Sequence, residues 1–169
     1  ITLFNGEAFF EVKKGSRFTV KSAGASTEVL GTSFNIYARG DEYEVTCITG
    51  KVQVNSFESA KSVVLEPNEK AIIIEDGAIK QNQVKDAHNT IAWTNNMFYF
   101  TSTPIVEVLK EVERQYDIRI EYSIPEDAIY TGNFSREMSI DQVLNLVCVP
   151  FGYTFSGGGS RYHIQQESH

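Results

Sequence analysis

Apolar side chains alternate with polar ones along most of the first half of the chain. Phe18 and Val20 share one face of a segment, as do Val52 and Val54. A period of two indicates a β-strand with one buried face, and glycine-containing turns separate these segments. We predict an all-β domain over residues 1–87, folded as a sandwich, a roll or a short β-solenoid.

One segment departs from this alternation. Residues 71–74 read Ala-Ile-Ile-Ile and are apolar at every position. Strands that are buried on both faces have continuous apolar runs of this kind. We therefore predict a central strand here, covered on both sides.

The period changes after Trp93. Apolar residues recur every three or four positions over residues 105–116 and 140–148, which predicts two amphipathic helices. We expect Thr103 to cap the first helix, with Pro104 at its first position. Ser139 and Gln142 have the spacing of a capping box at the second helix. With their flanking strands, these helices predict a small α+β domain over residues 88–169.

The two helical segments match each other after a shift of 35 residues, which carries Ile105 onto Ile140 and Ile120 onto Phe155. Seven apolar positions coincide without a gap. We infer two strand–helix–strand repeats of the βαβ type, and chance similarity between amphipathic segments is the alternative. Glycines 157–159 are expected to turn the chain into a last strand, Arg161–Gln165.

Composition narrows the classes of partner. The chain has 169 residues, 41% of them hydrophobic, and a formal net charge of −7. Because no basic stripe offsets this charge, we expect binding to neither nucleic acid nor an anionic membrane surface. No apolar run reaches the roughly 20 residues of a membrane span, and the chain opens without Met. We expect it to be a fragment of a longer protein.

Residues that could bind a metal or a cofactor are scattered. Cys47 and Cys148 occupy inward positions of their predicted elements, where a free cysteine acts as a small apolar residue. His88, His163 and His169 lie far apart and have no ligand spacing, and His169 is explained as the start of an expression tag. We therefore expect no metal site, no cofactor and no disulfide framework.

The carboxylates give weak support for an enzyme. Glu7 and Glu11 flank two phenylalanines, and folding could bring one of them near Asp41 or Glu44. No nucleophile elbow, phosphate loop or dinucleotide-binding fingerprint is present. We predict that the chain is not an enzyme, with a β-barrel enzyme as the least favoured class.

Two segments are candidates for binding a partner protein. Aromatic anchors often dominate interface energy, which points to Trp93, Phe98 and Phe100 around one predicted strand. A buried core strand is the simpler interpretation of the same residues. The second candidate is the last strand with Arg161 and His163, because a strand at the edge of a sheet can accept another strand.

The order of these motifs resembles one known family. In the first half, Gly6–Val12, Leu30–Ile36 and Thr49–Val54 resemble the periplasmic domain of FecR-type regulators, which are transmembrane anti-sigma factors. The second half is similar to the short repeat domain at the N-termini of secretins and TonB-dependent signalling transporters, and to the C-terminal extension of FecR-type regulators. The residues that carry this second likeness are Trp93, Met97–Thr101, Pro104–Leu109, Tyr116–Ile120, Thr131–Phe134 and Ser139–Leu144.

The resemblance implies a periplasmic, signal-sensing module that serves iron or other nutrient uptake. Its implied partners are the N-terminal signalling domain of a TonB-dependent transporter and, through a cytoplasmic segment outside this chain, an extracytoplasmic-function sigma factor. A transmembrane helix outside this chain would anchor the parent protein in the inner membrane. The alternative is an exported carbohydrate- or cell-wall-binding β module with an accessory α+β domain.

Overall fold

The chain divides into two compact units, each with its own hydrophobic core. In a computed structural model, the first unit is Ile1–Ile91 and the second is Ala92–His169. The structure describes residues 1–22, 24–40, 42–74, 76–125 and 127–167. Asp41 and His169, which were named above, lie outside the described residues.

The first unit is built from two antiparallel sheets. Its strands are β1 (Gly6–Glu11), β2 (Arg17–Lys21), β3 (Ala25–Leu30), β4 (Ser33–Arg39), β5 (Glu42–Thr49), β6 (Val52–Ser56), β7 (Ser62–Leu65), β8 (Glu69–Ile73) and β9 (Ile79–Gln83). One sheet has the order β1-β4-β5-β8-β9 and the other has the order β2-β3-β6-β7.

Both sheets of this unit bury their inward side chains in one core. Val20 and Val52 of the four-stranded sheet and Phe34 and Ile36 of the five-stranded sheet are fully buried in the same cluster. Two sheets that share a core form a sandwich. Within the described ranges, the ladders between the strands β1 to β9 are antiparallel, and an isolated parallel bridge joins Thr2 to Lys21. A solenoid stacks parallel strands, so this pairing favours the sandwich.

Gly31, between β3 and β4, is required by its surroundings. Its φ is +89°, and an added Cβ would lie 2.3 Å from the Cα of Lys14. A side chain at this position would therefore meet both an unfavourable backbone angle and another stretch of backbone. This contact accounts for the glycine in the Leu30–Ile36 segment.

The strand predicted over residues 71–74 is internal but not fully covered. It corresponds to β8, which lies between β5 and β9. Ala71 and Ile73 are buried in the sandwich core, whereas Ile72 is only half-buried. The prediction of two covered faces was wrong, because Ile72 lies on the outer face of the sheet opposite Glu44.

The second unit combines two helices with two small sheets. Its elements are β10 (Met97–Pro104), α1 (Ile105–Tyr116), β11 (Arg119–Ser123), β12 (Ile129–Ser135), α2 (Ile140–Cys148), β13 (Tyr153–Gly158) and β14 (Arg161–Gln166). A 3₁₀ helix, Ala87–Asn95, precedes β10, and another, Val149–Phe151, follows α2. The sheets have the orders β10-β12 and β11-β14-β13.

The start of α1 differs from the prediction. Pro104 occupies the N-cap position with φ −53° and ψ 134°, and no side chain of the described residues caps the helix. Thr103 instead pairs with Tyr130 in the β10–β12 ladder. The N–H of Ile105 donates to the carbonyl oxygen of Ala128 at 2.8 Å. The backbone carbonyl of Ala128 thus accepts from an N–H group at the helix start that the predicted Thr103 side-chain cap was expected to bond.

The predicted capping box at the start of α2 is confirmed. The N–H of Gln142 donates to Ser139 Oγ at 3.3 Å, and the N–H of Ser139 donates to Gln142 Oε1 at 2.9 Å. Two of the N–H groups that every helix leaves without intrahelical partners are satisfied in this way. Met138, just before the cap, packs against the core of the unit.

The strand pairing supports a duplicated unit. β10 and β12 each lead into a helix and pair antiparallel around Tyr99 opposite Asn133. β11 and β13 each follow a helix and flank β14 on opposite sides, one parallel to it and one antiparallel. The corresponding strands of the two copies therefore run antiparallel to each other. They are not strict βαβ units, since the two strands of each copy lie in different sheets.

The last strand is not at an edge. β14 pairs with β11 through Ile120 opposite Tyr162, and with β13 through Phe155 opposite Ile164. Its backbone groups are therefore engaged on both sides, and the predicted strand addition at β14 was wrong. The edges of this sheet are β11 and β13.

The Ser139 cap makes a measurable contribution to stability. We expect Ser139→Ala to lower the free energy of unfolding of the second unit by about 1 kcal/mol, because the Gln142 N–H at the start of α2 loses its side-chain acceptor. Fluorescence of the single tryptophan, Trp93, reports this unit during urea denaturation. Ser123→Ala on β11 is the control and should change stability by less than about 0.5 kcal/mol. Equal losses of unfolding free energy in Ser139→Ala and Ser123→Ala would contradict a stabilising role for the Ser139 cap.

Two adjacent glycines in β13 provide a matched pair of substitutions. At Gly157, φ is +125° and a Cβ would lie 2.4 Å from the carbonyl oxygen of Arg161, whereas nothing lies within 4 Å at Gly158. Gly157→Ala should therefore cost more than about 1 kcal/mol in the same measurement. Gly158→Ala should stay within about 0.5 kcal/mol of the unmodified chain. A Gly158→Ala loss as large as that of Gly157→Ala would contradict this description of the hairpin.

Candidate protein-interaction surfaces

The aromatic residues predicted to bind a partner are distributed between core and surface. Trp93 lies in the 3₁₀ helix before β10 and packs against the core of the second unit. It is half-buried, and its indole Nε1 is enclosed with no hydrogen-bond acceptor among the described residues. Its ring thus anchors the helix to the unit, and a role in partner binding stays a prediction.

The strand β10 presents a different ring from the one predicted. Phe98 is buried beside Phe134, with 5.3 Å between ring centroids, and Phe100 stacks on the same ring at 5.5 Å. Tyr99 points to the opposite face and is 46% exposed. Phe98 is therefore a core residue, because alternation puts it on the inward face. Phe100 is half-buried, and the exposed aromatic of this strand is Tyr99.

Tyr99 belongs to an outward face that we call the Tyr99 surface. It consists of exposed side chains on β10 and β12, namely Tyr99, Thr101, Thr131 and Asn133. Among the described residues, β10 and β12 pair only with each other. The outer edge of each strand is thus available for backbone hydrogen bonds with another strand.

Arg161 and His163 lie on a second outward face, which we call the polar sheet face. It is formed by alternate residues of β11, β14 and β13: Arg119, Glu121, Ser123, Arg161, His163, Gln165, Thr154, Ser156 and Gly158. The opposite face carries Ile120, Tyr162 and Ile164, which are buried with the two helices. The polar sheet face therefore points away from the core.

A shallow cavity of about 230 Å³ opens on the polar sheet face. The residues that line it include Arg119, Glu121, Ser156, Arg161 and His163. The sequence pattern identified Arg161 and His163 but missed Arg119, which joins them only through the parallel pairing of β11 with β14. Tyr99 could have been found, since alternation along β10 separates it from Phe98 and Phe100.

Neither cysteine has the environment of a reactive thiol. Cys47 and Cys148 are free and buried. Burial raises the pKa of the Cys148 thiol to about 12. Burial, followed by the nearby carboxylates of Glu69 and Glu66, raises the pKa of Cys47 to about 11. Both thiols stay protonated at neutral pH, and a protonated thiol is a poor nucleophile.

Two of the carboxylates considered for catalysis, Glu7 and Glu44, hold ionic or hydrogen-bonded contacts in the first unit. Glu7 accepts a hydrogen bond from Asn35 Nδ2 at 2.9 Å and lies 3.9 Å from an Arg39 nitrogen. Glu44 pairs with Lys70 at 2.8 Å. In the part of the chain that the structure describes, no three His, Cys, Asp or Glu side chains come together to hold a metal ion.

Within the described ranges, no helix is both long enough and apolar enough to cross a bilayer.

Comparison with known proteins identifies both halves of the chain. The family model described as FecR protein matches residues 1–53, and the model described as FecR, C-terminal, matches residues 97–164. A search of curated proteins found no match.

Two crystal structures from Parabacteroides distasonis ATCC 8503, both of a candidate anti-sigma factor, resemble the chain. The structure at 1.65 Å resolution is 32% identical, covers 97% of this chain and 79% of its own, and has a TM-score of 0.84. The structure at 2.50 Å is 32% identical, covers 97% and 78%, and has a TM-score of 0.83. With both halves matched and this identity over nearly its full length, the chain belongs to the FecR family.

Proposed function

We propose that this chain is the periplasmic, signal-sensing region of an anti-sigma regulator. It recognises the N-terminal signalling domain of a TonB-dependent outer-membrane transporter and relays the state of that transporter. A cytoplasmic segment outside this chain holds an extracytoplasmic-function sigma factor. The similarity to a candidate anti-sigma factor from Parabacteroides distasonis and the membership of the FecR family support this role.

The observation that carries the docking step is the Tyr99 surface. An exposed tyrosine lies in the middle of a two-stranded sheet whose strands each have an unpaired outer edge among the described residues. A partner strand can add to such an edge through backbone hydrogen bonds, and a neighbouring aromatic ring can then pack against it. These features support a role for the second unit in protein recognition, which is what a sensing domain requires.

Chemistry elsewhere in the chain favours recognition over catalysis. The buried thiols stay protonated, and the described carboxylates Glu7 and Glu44 are engaged by Asn35, Arg39 and Lys70. FecR-family membership also favours a regulatory role over the carbohydrate-binding alternative. No feature of the described residues specifically favours a sugar site.

Binding to the signalling domain tests the proposal directly. We expect the full chain to bind the signalling domain of its cognate transporter with a micromolar Kd in isothermal titration calorimetry. Tyr99→Ala should weaken binding by about 30-fold, because truncating an aromatic at the centre of an interface costs about 2 kcal/mol.

Phe57→Ala is the matched control, since Phe57 is an exposed aromatic of the first unit with 53% of its surface accessible. This variant should bind within about twofold of the unmodified chain. Absence of binding by the unmodified chain at about millimolar concentration would refute the docking step. Binding that Tyr99→Ala leaves intact would instead move the interface away from the Tyr99 surface.

A further inference from the structure

Two arginines of the second unit lie side by side on the polar sheet face. Arg119 of β11 is directly opposite Arg161 of β14 in the parallel ladder. Both are exposed, and 78% of the Arg119 side chain is accessible. Like charges directly opposite each other destabilise a pair of strands. The arrangement therefore concentrates positive charge that a bound anion can offset.

Nearby carboxylates neutralise this charge only in part. A Glu113 carboxylate oxygen lies 3.9 Å from Arg119 Nε, but the same oxygen accepts a hydrogen bond from a backbone N–H of β11 at 2.7 Å. Glu121 occupies the next row of the face, opposite His163. Among the described residues, no hydrogen bond or ion pair engages the Arg161 side chain. The cavity thus has two guanidinium groups and one carboxylate in its walls.

Other basic residues of the second unit have a different setting. Lys110 pairs with Glu107 at 2.8 Å, and Arg114 pairs with Glu111. These pairs lie along the exposed side of α1, where oppositely charged residues one turn apart stabilise a helix. The juxtaposition of Arg119 and Arg161 is therefore distinct from the ordinary mixed charge of this unit.

The space beside Arg161 is open because its neighbours on β13 are small. Gly158 lies opposite Arg161 in the antiparallel ladder, and nothing lies within 4 Å of the place where its Cβ would be. Ser156 lies opposite His163 in the next row. A guanidinium group offers parallel N–H donors that match the two oxygens of a carboxylate. The cavity of about 230 Å³ has room for one such group.

We propose that this cavity binds the carboxylate of an aspartate or glutamate from an acidic segment of the partner protein. The inference rests on the proposed function, because it names the chemical group of the partner protein that contacts this cavity. Guanidinium groups also bind phosphate. The proposed partner of this chain is a protein domain, and a carboxylate side chain is the anionic group that such a domain presents. A protein carboxylate is therefore the source of the anion that we propose, and phosphate is separated from it by the test below.

Substitution of each arginine tests the cavity in the full chain. In calorimetric titrations with the transporter's signalling domain, Arg119→Gln and Arg161→Gln should each weaken binding about tenfold, since each removes a charged hydrogen-bond donor. Arg136→Gln is the control, because Arg136 is an exposed arginine of the same unit outside the cavity. It should bind within about twofold of the unmodified chain. Raising NaCl from about 50 mM to about 300 mM should weaken binding by the unmodified chain more than it weakens binding by the Arg161→Gln variant.

The outcomes separate this inference from the proposed function. If the unmodified chain binds and both cavity variants bind as tightly as Arg136→Gln, the cavity inference is overturned while the docking proposal stands. If the unmodified chain does not bind, the docking proposal fails. The cavity inference then fails as well, because the partner that should supply the carboxylate does not bind this chain.

A second measurement distinguishes the sources of the anion. The ¹⁵N-labelled chain is titrated with a capped Glu-rich peptide, its Gln-rich counterpart and inorganic phosphate. Amide shifts of β14 residues with the Glu-rich peptide alone, absent in Arg161→Gln, support the proposal. Equal shifts with phosphate would show a general anion site and overturn the commitment to a protein carboxylate. No shifts with the Glu-rich peptide would overturn the cavity itself.

Discussion

The pairing of β14 on both sides holds the second unit together. Its inward residues Tyr162 and Ile164 are buried in the core shared with α1 and α2. The Tyr162 hydroxyl also donates to an Asp141 oxygen of α2 at 3.5 Å. Its outward residues Arg161 and His163 line the cavity on the polar sheet face. β14 thus joins β11 and β13, the strands that follow the two helices. It contributes residues to both the core and the polar sheet face.

The features that could be predicted depend on residues close together in the sequence. The Ser139 capping box requires only a hydroxyl and an amide side chain three residues apart, so its spacing was sufficient. Alternation identified the strands of the sandwich, because a half-buried strand must repeat every two residues. The stripes of the helices likewise placed Val108 and Val143 in the core, where both are fully buried.

The features that could not be predicted depend on contacts between distant segments. β14 was expected at an edge because nothing local signals its parallel pairing with β11, where Arg119 meets Arg161. The same pairing brings Arg119 to the cavity, so Arg119 could not be identified as a site residue from the sequence. The start of α1 was misplaced for a similar reason, since the acceptor for the Ile105 N–H belongs to Ala128. Phe98 differs from these cases, because alternation along β10 already separates it from Tyr99 and the sequence alone favoured a buried core strand.

The central position of β14 couples occupancy of the cavity to the stability of the whole unit. Releasing β14 would remove Arg161 and His163 from the cavity and expose Tyr162 and Ile164 at the same time. A ligand that binds only the paired state therefore favours that state, by an amount set by its concentration relative to Kd. An acidic segment held by Arg119 and Arg161 would slow the exchange of β14 amide hydrogens with solvent, and the sheet itself would report the binding event.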